Sequence, residues 1–351
     1  MREIKYINVS GLGHSGKSSI TDLLKEFENV LVIDTLFEFD LLRIPGGLSD
    51  LKYNLYDNWS PIRSDTSIKR FRKVCKRLSN SSSLNFYDKI SSYGTNYEKI
   101  FNNQFMVESE IYLNKLITKK LIRKYWPYRL IEKSSLYLFA FKIFRKIKLD
   151  FFFFKRYYEY LIVDNKNFIE HTRTYINNLF KSMAINYDFI VLNNTIEPFE
   201  NNNDSIFFSN IFSLVVIRDP RDIYASINFN EKTYTPEHEK RILANEIKSD
   251  FLNAKCVNDF ISIQKNLYDN FSAKGNENTM IIKFEDFVLK YNKTLDEICK
   301  NLGLRKNLHK QKKKFFNPEN SKNNIGIWKK YANTYEIKLI EKELKEYCYQ
   351  K

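Results

Sequence analysis

Residues 11–19 read Gly-Leu-Gly-His-Ser-Gly-Lys-Ser-Ser, and the first eight satisfy the pattern G-x-x-x-x-G-K-S. Glycines at 11, 13 and 16 let the backbone turn tightly with its N–H groups inward. A helix starting at the loop adds the positive end of its dipole. Lys17 contributes a point charge, His14 a second nitrogen base, and Ser15, Ser18 and Ser19 hydroxyl donors. This chemistry holds a phosphate-like anion. It does not specify a nucleotide or a reaction, and a Gly-rich turn that merely joins strand to helix uses the same residues.

Residues 213–227, SLVVIRDPRDIYASI, suggest a second anion site. An apolar strand ends at Arg218, where open α/β sheets bind ligands. Asp219 suits a helix cap and Pro220 the first helical turn. Ser226, eight residues after Arg218, falls about two turns into that helix. The Arg guanidinium is a planar, permanently charged fork matched to phosphate oxygens. Two anion sites on neighbouring strand ends imply a nucleotide phosphorylated at two separate places. An Arg/Asp ion pair capping a helix explains the same letters.

The elements that must position these groups follow from periodicity. Residues 4–10 read as a buried strand, 20–27 as a helix with apolar residues at 20, 23, 24 and 27, and 30–34 as a second strand. Strands are expected again at 188–193, 211–217 and 279–284, with helices at 236–271, 285–302 and 335–348. Between the second and third strands lie long Lys/aromatic segments. The expected fold is therefore α/β, a parallel sheet flanked by helices. One domain spans 1–351 and carries a helical insertion at 60–185, the expected acceptor region. Residues 201–204 (NNND) suggest a surface loop. There is no internal repeat.

Composition sets the outer bounds. Of 351 residues, 43% are hydrophobic and 28% charged, enough for a large core and against disorder. Nine glycines and seven prolines exclude collagenous and Pro-rich classes. Fifty-seven Lys and Arg against 42 Asp and Glu give a net charge of +15, which favours an anionic partner unless it reflects biased base composition. Cys75, Cys256, Cys299 and Cys348 are scattered, so neither a zinc site nor a disulfide framework is expected. The polar start excludes a signal peptide. Lys142, Arg145, Lys146, Lys148 and Asp150 exclude a spanning helix at 136–154. A cytoplasmic location with peripheral membrane contact open, no metal, and no nucleic-acid partner are the expectations.

The Gly loop after the first strand, with the distant strand-R-D-P-R-D-x-x-x-S, resembles the sulfotransferases that use 3′-phosphoadenosine 5′-phosphosulfate (PAPS). Residues 36–51 and 321–331 (SKNNIGIWKKY) are similar to further segments of bacterial members. The resemblance implies that Gly11–Ser19 hold the 5′ end of the donor, and Arg218 and Ser226 its 3′-phosphate. Lys322, Trp328 and Lys329 are implied in closing over the nucleotide. The family commonly has Lys or Arg at the position of His14 and Ser or Thr at that of Lys17, so both residues are candidates to assist the leaving oxygen. The reaction would be an in-line displacement governed by positioning and charge.

A base must take the acceptor's proton. Glu38, just past the second strand, is the first candidate, with a purely structural pairing to Arg43 as its alternative. His171 is the second. His238 and His309 have no comparable context. The basic run 309–316 is a solvated face or an anion contact. The acceptor would be a glycan or small metabolite. Two other classes compete: an ATP/Mg²⁺ P-loop kinase or NTPase, with Asp34 as a metal carboxylate, and a polyanion-binding protein driven by net charge.

Overall fold

The computed structural model describes residues 4–33, 38–79, 96–123, 133–148, 157–199, 204–228, 256–271 and 277–350. Strand β1 (Lys5–Gly11) runs into the Gly loop and helix α1 (Lys17–Leu24), followed by β2 (Val30–Val32). Next come α2 (Leu48–Lys52), α3 (Pro61–Ser79), α4 (Tyr97–Ile100) and α5 (Phe105–Leu116). Strands β3 (Ile117–Arg123) and β4 (Tyr158–Val163) flank α6 (Ser135–Lys146), and α7 (Phe168–Phe180) follows. The chain continues through β5 (Phe189–Asn193), β6 (Ile211–Ile217), α8 (Pro220–Asn228), α9 (Val257–Asp269) and β7 (Thr279–Lys283). Helices α10 (Phe284–Leu289), α11 (Tyr291–Leu302), α12 (Pro318–Ser321) and α13 (Tyr335–Glu343) close the order.

Among the described residues the main sheet has five strands in the order β2-β5-β1-β6-β7, all parallel. Strand β1 is central, so the Gly loop opens at the sheet's carboxyl edge between β5 and β6. Alternation divides the strands between two cores. Ile7, Val9, Val191, Leu214 and Val216 pack with α1, α10 and α11, while Tyr6, Ile190 and Leu192 pack with α3, α5 and α7. Each fully buried Phe or Leu here contributes about 1.5–3 kcal/mol.

The 60–185 region differs from a purely helical insertion. It contains an antiparallel ribbon of β3 and β4, and its helices form the layer covering one face of the sheet. Buried Phe71, Phe105, Tyr175 and Phe180 give that layer its core. Helical periodicity concealed the ribbon because residues 117–123, ITKKLIR, are mostly polar and solvent-exposed.

Other boundaries also differ. The expected helix at 285–302 breaks at Lys290, whose φ of −119° leaves the helical region. The one at 335–348 gives way after Glu343 to a single 3-10 turn at Lys345–Tyr347. Within 236–271 the helix described is α9; the earlier part of that expectation, His238 included, lies outside the described residues, as do Asp34 and residues 201–203. Asp204 is buried rather than on a surface loop, and accepts a hydrogen bond from Ser49. All four cysteines are free. No helix among the described residues is long and apolar enough to cross a membrane.

Candidate functional site

The loop's conformation follows from what its glycines leave out. A Cβ on Gly11 would press on the Val216 carbonyl oxygen and come within 2.7 Å of Ser15 Oγ. Gly16 caps α1 at φ +87°, where a Cβ would meet the Phe284 ring. His14 also takes positive φ, at +59°. Ser15 N–H bonds the Leu12 carbonyl at 3.1 Å, and Ser19 N–H and Oγ both donate to the Gly16 carbonyl. The first turn of α1 holds no acid, so its positive end faces the loop uncompensated. The hydroxyls of Ser10 and Ser15 are buried there without hydrogen-bond partners. Ser18 is exposed, and Gly13 and His14 are partly so, with the His14 Nε2 buried.

On the β5 side of the loop, Lys17 Nζ contacts Glu38 Oε1 at 2.8 Å. Glu38 also accepts from Asn194 Nδ2 at 2.6 Å and pairs with Arg43. Arg43 reaches Asp40 at 2.6 Å and Glu197 at 3.2 Å. Two backbone features deliver Glu38 to this place. It bridges to Asn193 in parallel, extending the β2–β5 pairing, and Phe39 N–H bonds the Asn193 carbonyl. Asn194 stands at φ +47°. The turn after it is held by Asn8, whose Oδ1 accepts from Thr195 N–H and Ile196 N–H at 3.1 and 3.2 Å.

Electrostatics here are tightly balanced. Burial alone would raise the Glu38 carboxyl, but the charges of Lys17 and Arg43, with hydrogen bonds from Lys17 and Asn194, hold it below the ordinary range. Burial pulls the Lys17 ammonium down against the attraction of Glu38. Glu38 is therefore ionised, and the Lys17 amine on it is held with little solvent. Both readings of Glu38 from sequence meet in this geometry: it pairs with Arg43, and it lies beside the phosphate loop.

On the β6 side, Arg218 is 7% exposed. Nη1 donates to the His14 carbonyl at 3.0 Å and Nη2 to the Asn324 carbonyl at 2.6 Å. The guanidinium lies 5.3 Å from the Phe284 ring centre. Nε is buried without a partner, and among the described residues Arg218 forms no salt bridge. Burial lowers its pKa; the charges of Asp222, Glu285 and Asp219 oppose this from a distance. Of five guanidinium N–H donors, two are used and three remain. Ser226 sits two turns into α8 and is buried, but the bonds of Arg218 run to the two carbonyls and not to it.

The neighbouring residues do separate, structural work. Asp219 caps α8 by accepting from Arg221 N–H at 2.9 Å and pairs with the Arg221 guanidinium at 2.7 Å. A helix-capping Arg/Asp ion pair is thus present, buried and adjacent to Arg218. Asp222 accepts from Gly326 N–H at 2.7 Å and Trp328 N–H at 3.1 Å, clamping the late segment against α8. Trp328 stacks under Arg221 at 4.0 Å and packs with the α8–α9–α13 core. Lys322 pairs with Glu319 at 2.7 Å, and Lys329 is exposed. A cavity of about 340 Å³ opens beside Arg218, lined also by Tyr268, Lys283, Glu285 and Tyr349. Burial raises Glu285 there to about 7, while its carboxylate accepts from Asp219 N–H at 2.9 Å.

His171 lies on α7, which packs against α5 in the layer beneath the sheet. His309 is a core residue: its Nε2 meets buried Glu26 at 2.6 Å and its ring stacks on Phe27 at 4.5 Å. Glu26 also accepts from Phe315 N–H and Phe316 N–H, so the basic run 309–316 is pinned at both ends with Lys310, Lys312, Lys313 and Lys314 exposed. Sequence reasoning missed Asn194, Asn324, Phe284 and Glu285. Asn194 directly after a strand was the one local hint, because Asn tolerates positive φ.

No family model and no curated protein matches the chain. Two solved structures are similar to it across nearly their whole length. One is the sulfotransferase domain of the Synechococcus PCC 7002 olefin synthase, at 11% identity and a TM-score of 0.38 over 100% of this chain and 97% of that one. The other is the sulfotransferase domain from the curacin biosynthetic pathway, at 13% identity and a TM-score of 0.38 over 98% of each chain. At such identity and score the likeness is one of outline and does not reach the site residues.

Proposed function

We propose that this chain is a sulfotransferase, moving the sulfuryl group of PAPS to a hydroxyl or amine of an acceptor such as a carbohydrate. The carrying observation is Arg218. A guanidinium buried beside a phosphate loop, with three N–H donors unused and no carboxylate on it, calls for an anion from outside the chain. Its contact with the His14 carbonyl ties this second cationic point to the Gly loop, as one doubly phosphorylated ligand requires. The partnerless hydroxyls of Ser10 and Ser15 and the uncompensated start of α1 fit the same ligand.

In this reading Gly11, Gly13, Gly16 and the flanking Ser15, Ser18 and Ser19 hold the 5′ end, and Arg218 with Ser226 the 3′-phosphate. When bound, the donor supplies the activated sulfuryl group. Lys17 and His14 place positive charge against the leaving oxygen. Glu38, already ionised, takes the acceptor's proton. Lys17 leaving Glu38 for the donor removes one of the two cations on that carboxylate and makes it a stronger base. Trp328 braces the late segment through Arg221. Lys322 and Lys329 stand on the surface of that segment as secondary cations. A cytoplasmic location belongs to this reading, in keeping with four free cysteines.

The Lys17-Ser18 pair favours a second reading, an ATP/Mg²⁺ kinase. Its metal carboxylate, Asp34, lies outside the described residues, and nearby Glu38 is already tied to Lys17 and Arg43. Titration with adenosine 3′,5′-bisphosphate and, separately, ADP with Mg²⁺ decides between them. Tight, Mg²⁺-independent binding of the bisphosphate is expected, and preference for ADP with Mg²⁺ would overturn the assignment. A labelled-PAPS transfer assay against glycans and small metabolites then identifies the acceptor.

A further inference from the structure

Helix α6, far along the chain from both anion sites, has no buried residue. Leu136, Phe139, Ile143 and Ile147 are 78, 63, 42 and 54% exposed. Their spacing of three, four and four places them on one stripe of the helix and the turn that follows it. Tyr137, Leu138, Phe141 and Phe144, on the other side, are half-buried. The open stripe is thus a second apolar face, left to solvent.

The charge around the stripe is mainly positive, with Glu132 and Asp150 just outside it in sequence. Residues 133–148 contain Lys133, Lys142, Arg145, Lys146 and Lys148 and no acid. Lys142 and Lys146 fall beside the stripe on the helical wheel. The mounting matters as well. The ribbon that carries α6 is rooted in the core at one end, where Leu161 and Val163 are buried. At its other end β3 exposes Ile122 by 61%, with Arg123 paired to Tyr158, and Tyr157 is 48% exposed. In sequence α6 lies between Arg123 and Tyr157, the residues at that outer end.

We propose that α6 and the ribbon tip form a membrane-docking surface that lies in the interface of bilayers containing anionic lipid. The occupant follows from charge complementarity. An apolar stripe with Lys142 and Lys146 beside it and further cations close by matches a headgroup layer of negative charge over acyl chains. A second copy of the chain would set those cations against their own equivalents across a two-fold axis. The helix is too short and too charged to span, so it lies on the surface. The inference is independent of the nucleotide site.

The test is co-sedimentation of the full chain with phosphatidylcholine vesicles, alone or mixed with phosphatidylserine. Binding is expected to rise with phosphatidylserine and to fall with salt. Lys142→Ala with Lys146→Ala should weaken binding to the mixed vesicles about 25-fold, at about fivefold per cation. Phe139→Ser with Ile143→Ser should abolish binding while leaving thermal unfolding unchanged, since both side chains are exposed. Equal binding to both vesicle types, no binding, or binding that survives Phe139→Ser with Ile143→Ser would overturn the proposal. So would self-association dispersed by that pair, which would mark the stripe as a contact between copies.

Discussion

Arg218→Met is the sharpest perturbation, because the structure predicts little effect on the free protein and a large one on the liganded protein. In the free protein the substitution removes two charge-assisted hydrogen bonds, to the carbonyls of His14 and Asn324. At about 1.5 kcal/mol each, the lower end for such bonds, that costs about 3 kcal/mol. It also removes a cation that is 7% exposed without a carboxylate on it, a desolvation penalty of several kcal/mol, and leaves an apolar side chain against Phe284. The two effects nearly cancel, so the free variant should unfold within a few degrees of wild type.

The liganded protein should behave differently. A bidentate contact to a 3′-phosphate is worth about 3 kcal/mol, or roughly 100-fold in affinity. At a ligand concentration 100 times the wild-type Kd, adenosine 3′,5′-bisphosphate stabilises wild type by about 2.7 kcal/mol but the variant by only about 0.4 kcal/mol. Adenosine 5′-monophosphate, which has no 3′-phosphate, should lose only a few-fold, because the remaining attraction is screened over about 8 Å. Thermal unfolding with and without each nucleotide, paired with calorimetric titration, measures all four quantities. A free variant destabilised by much more than 3 kcal/mol, together with equal loss of both nucleotides, would show that Arg218 is a structural clamp and refute the argument.

Two further outcomes follow from the same geometry. Glu38→Gln removes the carboxylate that holds Lys17, so bisphosphate affinity should stay level or rise while turnover falls by about 10²–10⁴-fold; unchanged turnover in a transfer assay would remove Glu38 as the base. Glu285, raised by burial from 4.5 to about 7, keeps its proton in the folded state after the unfolded chain has lost it. Wild-type stability should therefore fall as pH rises from 4.5 to 7, by up to about 3 kcal/mol from this group. Glu285→Gln retains an acceptor for Asp219 N–H and should remove that fall. Parallel urea titrations of both proteins at pH 5 and 7.5 check this, and identical pH profiles would contradict it.

Several features were legible in the residues themselves because they are local. The strand–Gly loop–helix start needs only glycine's freedom, apolar alternation and a period of 3.6 residues, and it appears as β1, the loop and α1. The Asp219-Pro220 cap is likewise local, a side chain satisfying N–H groups two residues on. The candidate anion sites were named from residue type and position at strand ends.

Other features needed the folded chain. Strand order is a non-local choice, and it set β1 between β5 and β6, so that Arg218 reaches a carbonyl 204 positions away. The pairing of Glu38 with Lys17 and with Arg43, which keeps that carboxylate ionised, depends on a β2–β5 contact that no local pattern encodes. The core role of His309 rests on Glu26, 283 positions earlier. Strand β3 was invisible because backbone pairing at an exposed site leaves no hydrophobic signature. Periodicity records what each segment buries, whereas the protonation and the partners of a side chain are set by whichever distant segments pack around it.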